Sequence, residues 1–527
     1  RALEDRWDTE YAAPPLEFAT LSAEGSLLGG RPRLASVTLK HDGSAVTWDE
    51  PGSMLPALQE ALDRVDPDVI LTAGGDGFVM PLLLSVAAAR RFPLRLDRED
   101  PPEPRRLEVE GRSFMSYGRV LYSSPDYPLF GRLHLDACNS FMVEKSGMEG
   151  LFEVARLSRM APQRIGRRSI GTGITSVQLD VAWQDGCLVP WKKTKPEAWK
   201  TAEQLLLTDR GGLVYAPETG LHEDVVELDF MSMYPTIMSR FNVSPETVNC
   251  ACCDNAAVPE IGYTICEKRH GLVSRALGPI VEKRSRYKQL RAAAKARGDQ
   301  DAWRCLDHRQ SALKWMLVCC FGYLGYRNAR FGRIEAHEAV SAFSRELLTV
   351  AREACEERGW RMIMANVDCV WIKKPGFSRD EIPALCEEID RRTGLTIALE
   401  GIYRWLAFLP SRTVKDRPVP TRYFGCFDNG ELKYRGIECR RGDTPPWIAE
   451  RQLEALRHIA AHATDAAGYR ALAPWLRERV AEWEGELWRD EVALEELAVR
   501  ASLSREPGEY RGAGRQEPPA VREAVGR

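Results

Sequence analysis

The chain has 527 residues, too many for a single hydrophobic core, so several domains are expected. Its 44% hydrophobic and 28% charged residues are ordinary for a globular protein. The net charge of −3 argues against a broad basic surface, but it leaves room for a local basic cleft whose charge is offset by acidic faces elsewhere. Fourteen cysteines without a secretory signal or a membrane-length apolar run read as reduced thiols in a cytoplasmic setting, with no membrane partner. The chain opens on Arg1 rather than Met, which reads as a trimmed start.

Residues 1–215 alternate short apolar runs with Pro/Gly-rich turns, an α/β pattern. Ser36–Leu39 and Val69–Leu71 read as strands, Pro81–Ala88 as a helix, and Gly111–Asp136 as further strands. Val225–Asp229 is the next strand, and a helix follows from about Ser232. Two long helical patterns come next, Pro279–Ala296 and Asp301–Cys320. Proline suits the first position of a helix, and the short Arg297-Gly298-Asp299 link predicts an antiparallel hairpin. A helix over Ala336–Arg358 leads into a β-hairpin over Met362–Lys373, which Pro375-Gly376 ends. From Trp447 the pattern is mostly helical, with a polar Gly/Pro/Arg-rich tail.

Two acidic residues stand at the ends of apolar strand-like runs, Asp229 in Leu228-Asp229-Phe230-Met231-Ser232-Met233-Tyr234-Pro235-Thr236-Ile237 and Asp368 in Asn366-Val367-Asp368-Cys369-Val370. By itself Asp229 could be a helix N-cap and Asp368 a turn residue. As a pair on neighbouring strand ends they could instead hold two Mg²⁺ ions for phosphoryl transfer. Backbone N–H groups at the helix start after Asp229 can cradle a triphosphate. The Tyr234 ring could close the space that a ribose 2′-hydroxyl needs. Arg284 and Lys288 lie one helical turn apart, with Lys314 on the facing helix; they form either a solvated basic face or a phosphate grip. Cys250-x-x-Cys253 followed by Cys266-x-x-x-His270 has spacing suited to zinc, although the same thiols can simply be small packing residues.

Asp229-Phe230-Met231-Ser232-Met233-Tyr234-Pro235-Thr236-Ile237 resembles the D-x-x-S-L-Y-P-S-I signature of family B DNA polymerases. Met364-Ala365-Asn366-Val367-Asp368-Cys369 is similar to that family's Y-G-D-T-D-S, with its first aspartate replaced by Asn366. Lys314-x-x-x-Val318-Cys319-x-Phe321-Gly322 is similar to K-x-x-x-N-S-x-Y-G. Arg422-Tyr423-Phe424-Gly425 and Lys433-Tyr434-Arg435-Gly436-Ile437-Glu438-x-x-Arg441-Gly442 resemble two later motifs, with Thr421 where the first carries lysine. The resemblance runs from about Leu16 to Tyr510.

This resemblance implies a multi-domain α/β right-hand fold. It comprises an N-terminal, degenerate exonuclease-like RNase H-type domain (1–215), palm (216–275 and 326–442), fingers (276–325) and thumb (443–527, including Leu494–Leu497 and the stretch to Tyr510). It implies metal binding by Asp229, Asp368 and the Phe230 carbonyl, with Mg²⁺ as cofactor and Mn²⁺ as substitute. It implies nucleotide binding by Ser232, Met233, Tyr234 (the sugar gate), Arg284, Lys288, Lys314 and Phe321. Contact with primer-template DNA falls to Gly322, Arg422, Tyr423, Lys433, Arg435 and Arg441. Partners would be DNA, dNTPs and a sliding clamp or repair factors, at the nucleoid.

The resemblance places the three proofreading motifs at Ser22-Ala23-Glu24, at Gly74, Phe78 and Val79, and at Ser146 to Gly150, with Glu24 the one carboxylate left at the motifs' own acidic positions. The chain thus resembles a divergent archaeal and bacterial branch that polymerises without trimming, suited to gap repair or translesion synthesis. The competing expectation, drawn from Asn366, Val318 and Thr421, is a catalytically dead DNA-binding scaffold.

Overall fold

Along Phe18–Ser26 the early residues alternate: Ala19 and Leu21 are buried, whereas Phe18, Thr20 and Ser22 face outward. This is the period-two pattern of a strand with one covered face. The computed structural model describes residues 5–11, 15–27, 32–100, 112–116, 119–123, 125–189, 191, 193, 196–414 and 416–499. They fall into two compact units. One lies within 1–193 and 275–323, the other within 194–274 and 324–502. The helical pair around residue 298 therefore groups with the N-terminal region, whose segment of the first unit ends at Lys193.

In the first unit, Phe18–Ser26 pairs antiparallel with Arg33–His41 and parallel with Val69–Thr72. Ser44–Trp48 and Leu133–Asp136 complete a five-stranded sheet. The helices Met54–Val65 and Met80–Ala89 supply Leu55, Leu58, Leu62, Leu82, Leu83 and Val86 to the same core as Leu21, Val37 and Ile70. Arg112–Ser116 and Arg119–Ser123 form a separate hairpin. The long helices Leu272–Ala296 and Gln300–Gly325 are the expected helical pair, but the first starts a turn earlier and carries Pro279 inside it. A buried ion pair, Lys283 Nζ to Glu153 Oε1 at 2.6 Å, ties this pair to the helix Phe141–Ser158, and Tyr287 Oη donates to Glu153 Oε2 at 3.0 Å. With Lys283 and Tyr287 turned inward, the half-buried Arg284 and Lys288 occupy a neighbouring face.

In the second unit an eight-stranded sheet runs in the order Leu432–Arg435, Pro418–Phe427, Ile397–Pro410, Val225–Phe230, Cys369–Lys373, Arg361–Asn366, Val214–Tyr215, with Gly220–His222 added beside Ile397–Pro410. Its pairings are antiparallel. Val225–Phe230 is central and buried throughout except at Asp229. The helix Ile334–Glu357 packs beside Met233–Arg240, where Phe241 stacks on Phe343 at 4.7 Å. Past Trp447 come the helices Pro446–His462, Ala466–Ala471, Ala473–Trp488 and Leu494–Leu497; the stretch from Ser504 to Tyr510 lies outside the described residues. Among the described residues no helix is long and apolar enough to cross a membrane.

Candidate active site

Asp229 sits at the end of the central strand, where it pairs with Cys369 across the ladder, and Asp368 occupies the turn that leads into Cys369–Lys373. Ser232, with φ 54°, takes the N-cap position of the helix Met233–Arg240, so Asp229 is not that helix's cap. The turn is tight. Asp368 N–H donates to Asn366 O at 2.8 Å across Val367, whose φ of 62° is the strained form of a γ-turn for a β-branched residue. Neighbours hold it in place: Val367 N–H donates to Leu213 O at 3.0 Å, and Phe230 N–H donates to Asp368 O at 2.9 Å. That last bond fastens one carboxylate's backbone to the residue beside the other carboxylate.

Ligand atoms of Asp229, Asp368 and Cys369 all lie within 4.8 Å of one another. Burial first, and the Asp368 charge second, push Asp229 up to about 6. Burial also pushes Asp368 above the ordinary carboxylate range. The Cys369 thiol, itself pushed up by burial, stays protonated and donates to Asp229 Oδ1 at 3.1 Å. Two half-buried carboxylates that repel each other form a site that a hard divalent cation relieves, and their oxygen donors fit Mg²⁺. The protonated thiol is a poor ligand for such an ion.

A third carboxylate was not apparent from sequence. The register between Val225–Phe230 and Ile397–Pro410 slips between Glu227 and Leu228, which face Gly401 and Leu399. Glu400 is the extra residue, and a bulge of this kind redirects a side chain. Its charge contributes to raising Asp229. Lys433 Nζ bridges Glu400 at 3.1 Å and the buried Glu227 at 2.7 Å, and Tyr403 Oη donates to Glu227 Oε2 at 2.6 Å. The only sequence signal was an acidic residue within a strand-like run.

The remaining expected residues divide. Phe230 and Met233 are buried, Ser232 and Tyr234 half-buried. Tyr234 Oη and the Val367 side chain converge on Gly212, where a Cβ would meet them at 2.8 and 2.9 Å. Lys314 and Gly322 are exposed and Phe321 half-buried on Gln300–Gly325. Arg435 and Arg441 are exposed, Arg441 paired with Asp443. Arg422 donates to Pro410 O at 2.8 Å. Two of the expected DNA contacts are engaged within the sheet. Tyr423 is buried, its ring packed edge-on against Trp371 and Phe408, because strand alternation turns it into the sheet's core. The Lys433 ammonium is drawn inward by its two glutamates.

The proofreading positions in the first unit lack a gathered set of acids. Glu24 and Ser22 are exposed on the strand Phe18–Ser26. Among the described residues, no group of three or more metal-ligating side chains includes Glu24. Ser146 and Gly150 lie in Phe141–Ser158 as packing residues; a Cβ at Gly150 would stand 2.9 Å from His308 O. Asp76 and Asp136 add carboxylates near the second motif, but both are already satisfied. Arg167 donates to Asp76 through Nε at 2.7 Å and Nη2 at 3.0 Å, and Asn139 donates to it at 2.8 Å. Asp136 accepts from the N–H groups of Gly74, Asp76 and Cys138. Burial alone would raise Asp76, but Arg167 holds it below the ordinary range. Burial, then Arg167, pushes the neighbouring His134 down to about 4, so it is neutral.

The expected zinc set is also corrected. Cys250, Cys253 and Cys266 come together, but the fourth member is Cys252; His270 is exposed and outside the group. Asn242 accounts for this by bracketing His270: its Nδ2 donates to Arg269 O and its Oδ1 accepts from Gly271 N–H, both at 2.7 Å.

The sequence profile described as DNA polymerase family B matches residues 167–382. The chain is 32% identical over 289 residues to DNA polymerase 2 of Saccharolobus solfataricus, covering 55% of this chain and 42% of that protein. It is 27% identical to DNA polymerase 1 of Pyrococcus abyssi, over 85% of this chain and 64% of that one. The fold resembles the family B DNA polymerase structure from Pyrobaculum calidifontis with a TM-score of 0.65 at 22% identity, over 98% of this chain and 71% of that chain. Residues 167–382 thus match the DNA polymerase family B profile, and the chain is similar to the polymerases named above. It spans less than two thirds of the length of these two curated relatives.

Proposed function

We propose that the chain is a template-directed DNA polymerase that adds dNTPs to a primer 3′ end and does not proofread. The observation that carries this reading is the convergence of Asp229, at the end of its strand, with Asp368, in the turn that enters the paired strand. Residues 216–275 and 326–442 act as palm, 276–325 as fingers and 443–527 as thumb, with a degenerate exonuclease-like N-terminal domain. Asp229, Asp368 and the Phe230 carbonyl would hold Mg²⁺, with Mn²⁺ as substitute. When bound, the ions lower the pKa of the primer hydroxyl and offset charge on the leaving pyrophosphate.

The chain's own groups do the rest. Asp229 and Asp368, both raised above the ordinary carboxylate range, would receive the cations as carboxylates. Lys433 balances Glu227 and Glu400, so the acidic cluster stays assembled without its cation. The Phe230-to-Asp368 backbone bond fixes the spacing of the two ligands. Tyr234, with Ser232 and Met233 before it, bounds the sugar side. Arg284, Lys288 and Lys314 hold the triphosphate, Phe321 abuts the nascent pair, and Gly322, Arg422, Arg435 and Arg441 contact DNA. Without trimming, the natural setting is gap repair or synthesis past damage.

The second reading, a scaffold that binds primer-template without extending it, rests on Asn366 in place of an aspartate beside the turn. Primer extension with Mg²⁺ or Mn²⁺ separates the two. The wild-type chain should extend and Asp368→Asn should not, at similar DNA affinity. Binding without extension in either metal would leave the scaffold.

A further inference from the structure

In the second unit the segment 249–255 has almost no regular structure, yet it is held at both ends. Asn249 N–H donates to Thr264 O at 2.8 Å, and Cys266 N–H donates to Thr247 O at 2.9 Å. The two-residue strands Ala256–Ala257 and Thr264–Ile265 pair and deliver Cys266 back to the start of the loop. Three cysteines within four positions meet it there. The Sγ separations are 3.3 Å for Cys250–Cys252, 3.9 Å for Cys250–Cys253, 3.8 Å for Cys252–Cys253, 3.5 Å for Cys252–Cys266 and 3.6 Å for Cys253–Cys266. All four sulfurs lie within 4.8 Å of one another.

These edges identify the chemistry. A zinc ion with four thiolates at about 2.3 Å sits in a tetrahedron whose sulfur–sulfur edges are about 3.8 Å. These five separations, 3.3–3.9 Å, lie near that length, and the sixth pair, Cys250–Cys266, is within 4.8 Å. A disulfide would bring one pair to about 2.05 Å, which no pair approaches. An iron–sulfur cluster would divide the four thiolates among two or four irons and spread the sulfurs further apart.

The surroundings suit a doubly negative tetrathiolate centre. Arg269 N–H donates to Cys266 Sγ at 3.4 Å, and Lys268 and Arg269 bring positive charge to the exit of the loop. Asn255 Nδ2 donates to Cys250 O at 2.7 Å and to Thr264 Oγ1 at 3.3 Å, holding the loop's shape from within.

We propose that Cys250, Cys252, Cys253 and Cys266 form a closed, structural tetrathiolate zinc site, with Cys252 rather than His270 as the fourth ligand. All four coordination positions are filled by protein, so no open position remains for substrate and the ion serves to staple the loop. On binding, each thiol loses its proton to solvent and no electron is transferred. The site stands apart from the reading of Asp229 and Asp368, and its test does not depend on polymerase activity.

The experiment is metal analysis of the purified full chain and of two variants. About one zinc per chain is expected in the wild type, unchanged in His270→Ala and lost in Cys252→Ser. A cobalt-substituted chain should show the ligand-field and thiolate charge-transfer bands of a four-sulfur tetrahedron, identical in His270→Ala. Because Cys252→Ser could fail to fold, the wild-type chain is also treated with a strong chelator, which should release the zinc and expose four newly reactive thiols. A zinc-free chain, whether iron-loaded or carrying disulfides, overturns the proposal. So does zinc that survives Cys252→Ser but is lost in His270→Ala.

Discussion

Asp229→Asn should make the metal-free protein more stable while abolishing primer extension. Burial and Asp368 raise the Asp229 carboxyl from its ordinary 3.8 to about 6. For an acid, a folded-state pKa above the unfolded value means that the native state binds the proton more tightly. Stability is therefore greatest below about pH 4, falls as pH rises through the interval, and is lowest above pH 6. The full gap corresponds to about 3 kcal/mol, with roughly half of it reached by pH 5. Water entering a half-buried site trims this, so a gain of about 1–3 kcal/mol at pH 8 is expected for the variant. Asparagine keeps an oxygen to accept from Cys369, so little else changes at the site. At about 2–4 °C per kcal/mol, melting of the second unit in chelator should rise by roughly 2–12 °C at pH 8 and by much less at pH 4–5. Adding Mg²⁺ should narrow the difference, because it stabilises the wild type and not the variant. A variant less stable than wild type at pH 8 in chelator, or a difference independent of pH, would refute the argument that the two carboxylates strain each other.

Three further outcomes are expected. Arg167→Met leaves the buried Asp76 carboxylate without its bidentate partner and should destabilise the first unit by about 3–5 kcal/mol, read by urea unfolding; a change below about 1 kcal/mol would show that the pair is not the anchor described. Tyr234→Ala should raise ribonucleotide incorporation sharply in single-nucleotide extension assays, and unchanged sugar discrimination would remove Tyr234 from that role. A 3′-labelled mismatched primer incubated with Mg²⁺ and no dNTP should keep its label, because among the described residues Glu24 joins no group of three or more metal-ligating side chains and Asp76 is engaged by Arg167; label release that disappears in Glu24→Gln would establish a working exonuclease.

Much of the site could be read locally in the sequence. An apolar run ending in Asp229, followed by a helix start, and a second run broken at Asp368 are patterns a few residues long, set by strand alternation and turn chemistry. The helical pair around Gly298 was readable for the same reason, although Pro279 proved to lie inside its helix rather than at the start. What pairing over distance decides was not readable. The slip between Glu227 and Leu228 that projects Glu400 depends on the register with a strand more than 160 residues away in sequence. The capture of Asp76 by Arg167 joins positions 91 residues apart. Tyr423 stands in a motif rich in cations, yet alternation and the rings of Trp371 and Phe408 turn it inward. Spacing pointed to His270 as the fourth zinc ligand, but Asn242 pins the backbone on both sides of it and Cys252 joins the cluster instead. The sequence alone determined which side chains could carry charge or bind metal and which short elements bore them. The tertiary structure decided which of those side chains meet, because register, bulges and buried ion pairs are settled by the burial and pairing of chain segments remote from one another in sequence.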